Sequence, residues 1–295
     1  MNRNDMAAKM AAGQGFIAAL DQSGGSTPKA LTGYGIPESA WSTEDEMFDL
    51  IHQARCRIIK SPSFANGKVI GAILFEKTMD GTVDGKRVPQ ALIELGIAPF
   101  IKIDKGLEAE ADGVQLMKPM PGLDALLERA KALGVFGTKE RSVINSANPA
   151  GIAAVVAQQF EVGRQVLAHG MMPILEPEYS IKAPDRAQGE KILKAEILKQ
   201  LDALPEGQQV MLKLSIPVQA NFYRELTQHP KVLSVVALSG GYSTEEACAK
   251  LAENQGVIAS FSRGLLQDLR ANQDDEEFDR TLGAAIDKIY LASVH

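Results

Sequence analysis

Charged side chains occur in pairs, two residues apart, inside apolar stretches of the sequence. The pairs are Lys102 and Asp104, Lys139 and Arg141, and Glu176 and Glu178. Because side chains alternate between the two faces of a β-strand, both members of a pair face the same way if these stretches are strands. Lys213 also interrupts an apolar run, where a lysine without a purpose is costly. The pattern predicts a polar site in which a lysine, carboxylates and further cations meet.

A buried lysine in such surroundings has a specific chemistry open to it. Burial and neighbouring cations both favour the neutral amine, which attacks a carbonyl to form a Schiff base. The protonated imine is an electron sink, so a carbon–carbon bond one carbon away can be broken or made without a metal. Glu176 is suited to shuttle protons while the carbinolamine loses water. A solvated or salt-bridged Lys213 is the alternative, and Glu178 or Asp104 taken singly could equally cap a strand end.

Strands and helices must position these residues. Eight apolar runs of strand length alternate with longer amphipathic stretches, at 15–21, 69–75, 97–104, 134–144, 171–178, 209–215, 232–239 and 256–262. Helix-start signals between them include Ser42 to Glu46, Asn148 with Pro149, and Ser243 to Glu246. The acidic run at 274–277 indicates the start of a terminal helix. Eight strands with crossover helices and no linker predict an α/β fold, one single-domain (β/α)8 TIM barrel over residues 1–295.

Glycine- and hydroxyl-rich loops follow the first and the last two predicted strands, and the active sites of such barrels form at these carboxyl ends. The loops after strands seven and eight contain Ser239, Gly240, Gly241, Arg263 and Gly264. Glycine N–H groups, a helix N-terminus and an arginine together suit a phosphate. The first loop, with Asp21, Ser23, Ser26 and Lys29, could hold a second phosphate, although a plain turn explains it about as well.

Composition narrows the classes of function. The 295 residues include 31 Lys+Arg and 37 Asp+Glu, so the net charge of -6 disfavours nucleic acid or an anionic membrane as the partner. Cys56 and Cys248 allow no disulfide framework, and four scattered histidines argue against a histidine-held metal. No run approaches the length of a membrane span. These features predict a cytoplasmic, metal-independent protein, compatible with a monomer or a homo-oligomer.

Seven local segments, in register on consecutive predicted strands, together carry a family resemblance. They are Ala19–Ser26, Ile73–Thr78, Ile101–Gly106, Lys139–Arg141, Pro173–Glu178, Met211–Lys213 and Leu238–Gly241. By order and local sequence across nearly the whole chain, they resemble the class I fructose-bisphosphate aldolases.

The resemblance implies reversible cleavage of fructose 1,6-bisphosphate to dihydroxyacetone phosphate and glyceraldehyde 3-phosphate. The reaction would pass through an imine on Lys213, without a metal or other cofactor. Glu176 would be the acid/base for carbinolamine dehydration, Asp21 would take the proton from the hydroxyl on the carbon that becomes an aldehyde, and Lys139 would hold developing charge. Glu178 is also assigned to the catalytic group.

The resemblance also distributes the substrate-binding roles. Ser239, Gly240 and Arg263 would bind the phosphate on the ketone side, with Gly241 and Gly264 in the same loops. The opposite phosphate would lie toward Ser23, Ser26, Lys29 and Lys102, with Arg141 and Asp104 assisting. Two positions depart from the animal members: Ala30 follows Lys29 where those have an arginine, and Arg263 stands in a differently ordered segment.

Other functions share parts of this pattern. Another lysine-imine barrel, such as a transaldolase or a deoxy-sugar phosphate aldolase, would use Lys213 but would not need phosphate groups at both ends of its site. A metal-dependent aldolase would perform the same reaction by a different mechanism. A non-catalytic barrel that binds anionic ligands or a protein partner is the alternative from another class.

Overall fold

Eight parallel strands form a nearly closed barrel. The computed structural model describes residues 1–294, with the backbone only at Arg263. The strands are β1 (Phe16–Leu20), β2 (Val69–Leu74), β3 (Thr82–Val83), β4 (Lys86–Arg87), β5 (Ala98–Lys102), β6 (Val114–Gln115), β7 (Gly137–Ile144), β8 (Met172–Tyr179), β9 (Val210–Ser215), β10 (Val232–Leu238) and β11 (Val257–Ala259). The barrel order is β1, β2, β5, β7, β8, β9, β10 and β11. The predicted (β/α)8 barrel and all eight predicted strands are confirmed.

Helices connect the strands and cover the outside of the barrel. They are α1 (Arg3–Ala12), α2 (Ser26–Gly33), α3 (Glu44–Lys60), α4 (Glu76–Asp80), α5 (Val88–Glu94), α6 (Leu123–Ala132), α7 (Pro149–Ala168), α8 (Arg186–Ala203), α9 (Arg224–Thr227), α10 (Thr244–Ala252), α11 (Arg263–Leu266) and α12 (Asp275–Ser293). Short 3-10 helices span Glu38–Ala40 and Pro62–Ala65. The predicted starts are confirmed by side-chain caps: Thr43 on α3, Asn148 on α7, Ser243 on α10 and Asp274 on α12.

The barrel interior has an apolar lower half. Ile17, Phe100, Ile174, Met211 and Ile258 from five different strands pack there in one buried cluster. A second, larger cluster lies between the strands and the helices. Because all strands of the barrel are parallel, their carboxyl ends meet at one rim, and the apolar cluster leaves that rim for the polar residues.

Helix α1 closes the opposite rim and was not predicted from the sequence. Met6 and Met10 are buried against the inner apolar cluster. Arg3 donates to the carbonyl oxygens of Val135 and Phe136, and Lys9 donates to that of Gly96. The amino end of the barrel is therefore filled, and ligand access is left to the carboxyl end.

The seam between β1 and β11 differs from the other strand neighbours. Seven adjacent pairs of barrel strands form parallel ladders, whereas β1 and β11 only bring Cα atoms within 8 Å of each other. Two small features lie outside the barrel: β3 pairs with β4, and β6 pairs antiparallel to β7. Among the described residues, no helix is long and apolar enough to cross a membrane.

Candidate active site

A cavity of about 790 Å³ opens at the carboxyl ends of the strands. Its volume lies within the usual range for small-molecule sites. Thirteen of the residues predicted from the sequence line it: Asp21, Ser23, Ser26, Lys29, Lys102, Asp104, Lys139, Arg141, Glu176, Glu178, Lys213, Ser239 and Gly240. The structure thus brings together side chains that are up to 219 residues apart in the sequence, as in the span from Asp21 to Gly240.

Four buried side chains form a continuous chain of ion pairs in this cavity. The ammonium Nζ of Lys213 lies 3.0 Å from Glu176 Oε1. The other oxygen of Glu176, Oε2, lies 3.1 Å from Lys139 Nζ, which also lies 2.8 Å from Asp21 Oδ2. Lys213 and Glu176 are each only 4% exposed. The two lysines and the two carboxylates are therefore linked at hydrogen-bond distance in the ligand-free protein.

The ionisation of this chain follows from its charges. Burial alone would raise the pKa of Asp21, but the ammonium groups of Lys139 and Lys213 outweigh it and hold that pKa at about 2. Burial opposes the charge on Lys139, but the carboxylates of Asp21, Glu176 and Asp104 raise the pKa of Lys139 above its ordinary value. Asp21 is thus an anion and Lys139 a cation at neutral pH. The predicted neutral amine at Lys213 stays a prediction.

Two further ion pairs extend the site toward β5 and β8. Lys102 Nζ lies 2.7 Å from Asp104 Oδ1, and Asp104 Oδ2 accepts a hydrogen bond from the backbone N–H of Arg141. The guanidinium of Arg141 pairs with Glu178, which raises the pKa of Arg141 despite its partial burial. Both members of each predicted pair line the cavity, as the alternation of side chains predicts. Arg141 remains 39% exposed on its side chain and can reach a ligand.

The first loop is held in a turn by its own hydroxyl groups. Ser26 Oγ donates to Ser23 O at 2.8 Å and accepts from Ser23 N at 2.9 Å. Ser26 begins α2, whose N-terminus has no side-chain cap, and Lys29 lies in its first turn. The N–H groups of Ser26 and Thr27 are bonded within the turn, to Ser23 O and Gly24 O, so the charged donor that this loop offers an anion is the ammonium group of Lys29.

The loop after β10 depends on glycine. Gly240 has φ +60°, and a Cβ atom there would lie 2.8 Å from Ile181 Cγ2, so a larger residue is excluded twice. Gly241 and Gly264 are not among the described residues that line the cavity, and Gly264 packs against Thr244 of α10 instead. The side chain of Arg263 lies outside the described part of the chain. The binding roles of these three residues stay predictions.

Sequence reasoning missed several polar residues of the cavity. Ser260 and Ser262 follow β11 and line the site, as does Gln22 in the first loop. Gln22 Nε2 donates to Ser262 Oγ and so joins the two sides of the β1 and β11 seam. Continuing the alternation of Ile258 by two and four residues would have pointed to Ser260 and Ser262.

A buried arginine supports the first loop from behind. Arg55 of α3 donates from Nη2 to Gln22 O at 2.6 Å and from Nη1 to Thr78 Oγ1 at 2.7 Å. Burial lowers the pKa of Arg55 to about 10, although the carboxylate of Asp21 favours its charged form. The run from Phe48 to Ile59 predicts a helix but gives no sign that one of its arginines is buried.

A second polar group lies on the outer face of β7, behind the site. Glu140 is fully buried, accepts a hydrogen bond from Thr138 Oγ1, and has Oε1 without a partner among the described residues. Burial raises the pKa of Glu140 well above its ordinary value, which favours the uncharged form of the side chain. Gln159 of α7 donates to Glu140 O, and its Oε1 accepts from the backbone N–H of Glu176.

None of the described residues that line the cavity is a histidine or a cysteine. Among residues 1–294, no group of three or more His, Cys, Asp and Glu side chains is arranged to hold a metal ion.

Comparison with known proteins shows the family to which the chain belongs. Residues 3–216 match the family model described as fructose-bisphosphate aldolase class-I. The structure is similar to that of fructose-bisphosphate aldolase from Plasmodium falciparum, with a TM-score of 0.70 and 19% sequence identity over 98% of this chain and 95% of that one. It is also similar to a protein of Corynebacterium glutamicum, with a TM-score of 0.50 and 14% identity over 98% of this chain and 92% of that one. At such identities, the structural likeness shows the barrel fold alone.

Proposed function

Because the chain belongs to the class-I fructose-bisphosphate aldolase family, we propose that it reversibly cleaves fructose 1,6-bisphosphate through a Schiff base on Lys213. The products would be dihydroxyacetone phosphate and glyceraldehyde 3-phosphate. The observation that carries this proposal is the buried ion-pair chain from Lys213 through Glu176 and Lys139 to Asp21. It supplies a nucleophile, a proton shuttle and a base in one cavity.

Imine formation uses Lys213 and Glu176, at one end of the chain of ion pairs. Lys213 transfers a proton to Glu176, 3.0 Å away, and the freed amine attacks the C2 carbonyl of the open-chain substrate. The carbinolamine hydroxyl then takes a proton, for which Glu176 is the adjacent acid, and leaves as water. Lys139 remains positively charged throughout, because three carboxylates surround it.

Carbon–carbon cleavage uses Asp21, at the other end of the chain of ion pairs. Asp21 is ionised before substrate arrives and accepts the proton of the C4 hydroxyl. The C4–O bond becomes a carbonyl, the C3–C4 bond breaks, and its electron pair moves into the protonated imine to give an enamine. Glyceraldehyde 3-phosphate leaves, C3 is protonated, and hydrolysis of the imine releases dihydroxyacetone phosphate. Water is lost once and taken up once, so no redox or group-transfer partner is needed.

Anion-binding groups on two sides of the cavity support a bisphosphate as the substrate. Ser239 and Gly240 follow β10 next to the Lys213 strand, while Ser23, Ser26 and Lys29 line the cavity at the N-terminal turn of α2. We assign the ketone-side phosphate to the first group and the aldehyde-side phosphate to the second, with Lys102 and Arg141 assisting. Lys29, Lys102 and Arg141 supply positive charge for the aldehyde-side phosphate, while Ser239 and Gly240 offer neutral hydrogen-bond donors on the ketone side.

Substrate comparison tests this specificity. We expect kcat/KM for fructose 1,6-bisphosphate to exceed that for fructose 1-phosphate by at least about tenfold, since one charged hydrogen bond alone contributes about 1.5 kcal/mol or more. Lys29→Ala should narrow the gap, while Lys60→Ala, an exposed lysine of α3, should leave it unchanged. Equal rates for the two sugars in the parent protein would contradict the bisphosphate assignment and favour another lysine-imine barrel enzyme.

Chelation tests the mechanism. We propose a metal-independent enzyme, so activity should survive exhaustive dialysis against a chelator. Loss of activity that returns on adding Zn²⁺ or another divalent cation would contradict the imine proposal. We further propose that residues 1–295 act as one barrel domain on sugar phosphates in the cytoplasm, with homo-oligomer formation left to measurement of the molecular mass in solution.

A further inference from the structure

A buried serine hydroxyl at the wall of the cavity has no partner. Ser260 follows β11, lines the cavity and is only 2% exposed, yet its Oγ makes no hydrogen bond with any described residue. A buried hydroxyl without a partner is unusual, because it has lost its hydrogen bonds to water and gained none in return. Such a group in a cavity wall indicates a ligand that completes it.

Neighbouring serines at strand ends do not share this property. Ser215 Oγ, at the end of β9, donates to Tyr179 O at 2.7 Å. Ser262 Oγ accepts from Gln22 Nε2. Of the hydroxyl groups that line the cavity, Ser260 Oγ alone is buried without a partner within residues 1–294.

The position of Ser260 is fixed by its backbone. Its N–H donates to Ala237 O at 2.8 Å, which continues the pairing of β11 with β10. Ile258, two residues earlier, is in the apolar cluster inside the barrel, so alternation turns the Ser260 side chain inward above it. The hydroxyl is thus presented to the cavity by a locked strand end and not by a loop that could turn it away.

The pairing of β11 with β10 places Ser260 beside the part of the cavity where we propose that the ketone half of the substrate binds. Ala237 lies two residues before Ser239, and Val236 of the same strand pairs with Lys213. Ser260 therefore lies beside the wall that connects the imine lysine with the proposed ketone-side phosphate. An oxygen of the ketone half is the group that this hydroxyl would meet.

We propose that Ser260 Oγ hydrogen-bonds an oxygen of the dihydroxyacetone phosphate half of the substrate and so helps to position it on Lys213. This inference rests on the proposed function, since it takes the substrate and the imine from it. The site would bind the three-carbon ketone phosphate with a group that contributes nothing to the fold of the free protein.

The test measures imine trapping with borohydride as a function of dihydroxyacetone phosphate concentration. In Ser260→Ala, the half-saturating concentration should rise by about tenfold, as expected for loss of one hydrogen bond, while the trapped amount at saturation stays unchanged. Ser260→Thr, which keeps the hydroxyl, should restore most of the affinity. The control is Ser293→Ala. Ser293 ends α12 and packs on the outside of β11, where its hydroxyl accepts from Ala259 N–H and donates to Ile289 O. That variant should leave the half-saturating concentration as it is.

Thermal unfolding gives a second readout that a structural role would move in the opposite direction. Without ligand, Ser260→Ala should unfold at the same temperature as the parent or higher, because an unpartnered buried hydroxyl is removed. Ser293→Ala should unfold at a lower temperature, since its hydroxyl is bonded on both sides.

The outcomes separate the two proposals. Trapping in the parent with an unchanged half-saturating concentration in Ser260→Ala would overturn the Ser260 assignment alone. A lower unfolding temperature for ligand-free Ser260→Ala would also overturn it, because the hydroxyl would then serve the fold. Absence of trapping in the parent would overturn the proposed function, and the Ser260 assignment with it.

Discussion

Lys139 is a buried cation that keeps Asp21 in its charged form. Its ammonium lies within 4 Å of the carboxylates of Asp21, Glu176 and Asp104, and its side chain is only 3% exposed. Because a buried cation among three anions stays charged, Lys139 is unsuited to imine formation, which needs a neutral amine. Within residues 1–294, Lys213 lies within 4 Å of one carboxylate, that of Glu176, and it is the lysine that we propose as the nucleophile. The division of labour between the two lysines follows from how many carboxylates each one contacts.

Replacing the proposed base should separate imine formation from bond cleavage. In Asp21→Asn the side chain keeps its shape but cannot accept the C4 hydroxyl proton, so kcat for cleavage should fall by roughly 10²- to 10⁴-fold. Borohydride trapping with dihydroxyacetone phosphate should persist, since that step depends on Lys213 and Glu176. Asp45→Asn, an exposed aspartate paired with Lys77, should change neither quantity. Wild-type cleavage by Asp21→Asn would remove Asp21 from the mechanism.

The pH profile should report the removal of Lys139. In Lys139→Gln the pKa of Asp21 should rise from about 2, because burial would no longer be opposed by the nearest cation. Asp21 is active as the anion, so activity should disappear at a higher pH on acidification than in the parent. The measurement is log(kcat/KM) against pH over the acid range, with Lys105→Gln, an exposed lysine paired with Glu76, as the control. An acid limb at the same pH in Lys139→Gln and the parent would contradict this coupling.

At the residue scale, alternation along a strand was the strongest guide from the sequence. It placed Glu176 with Glu178 and Lys139 with Arg141 on the cavity side, and the structure has them there. It does not show which oxygen pairs with which ammonium, because those contacts join different strands. Gln22 was missed because its partner, Ser262, lies across the β1 and β11 seam, far away in sequence. Ser260 was missed although alternation from Ile258 points to it.

Strand β7 carries ionisable side chains on both of its faces. Lys139 and Arg141 point into the cavity, while Glu140 lies buried between the strand and α7 with Gln159 nearby. The outward face of a barrel strand is ordinarily apolar, so the charged form of Glu140 is disfavoured there. The folded protein therefore loses stability as the pH rises. Unfolded Glu140 ionises near its ordinary pKa of 4.5, whereas the folded group ionises only well above it. Between these two values the folded protein binds one more proton than the unfolded one, and its stability falls with increasing pH.

Glu140→Gln should remove this pH dependence. The amide keeps the shape and stays uncharged, so the variant should gain stability over the parent as pH rises above 4.5, by at most about 1.4 kcal/mol per pH unit. Urea unfolding at several pH values from 5 to 8 measures the difference. Glu161→Gln, at an exposed position of α7, the helix that packs on Glu140, is the matched control. A constant difference between Glu140→Gln and the parent across this range would mean that Glu140 is ionised in the folded protein.

Helix α8 approaches β8 closely enough to need glycine. A Cβ atom at Gly189 would lie 1.8 Å from Tyr179 Oη, and Tyr179 is fully buried and has no room to move away. Gly189→Ala should therefore destabilise the protein by about 1–3 kcal/mol, the usual cost of overpacking. Gly33→Ala in α2, where no atom lies within 4 Å of the added methyl group, should be neutral or stabilising. Equal unfolding temperatures for Gly189→Ala and the parent would contradict the close packing.

At the element scale, the apolar runs predicted all eight barrel strands and the capping signals predicted the starts of α3, α7, α10 and α12. The two-residue strands β3, β4 and β6 were missed, because segments this short leave no periodicity. Helix α1 was also missed: only Met6 and Met10 of its residues are buried, and their partners lie inside a barrel that the local sequence does not describe.

The whole barrel explains why chemistry is possible at one end only. The lower interior is apolar and is closed by α1. The charged residues therefore lie above an apolar layer, and a ligand reaches them from the carboxyl rim. Burial by itself would raise the pKa of Asp21, but the ammonium groups of Lys139 and Lys213 hold it at about 2. The barrel could be predicted from strand count and order, but the depth of the cavity and its closed lower end are properties of the assembled fold.

The account depends most directly on which residue forms the covalent intermediate. The protein is incubated with dihydroxyacetone phosphate, reduced with borohydride, digested and mapped by mass spectrometry, alongside Lys213→Met. We predict a single added mass, on the peptide that contains Lys213, and none in Lys213→Met. Trapping on the Lys139 peptide, trapping that survives Lys213→Met, or no trapping in the parent would contradict the proposed mechanism.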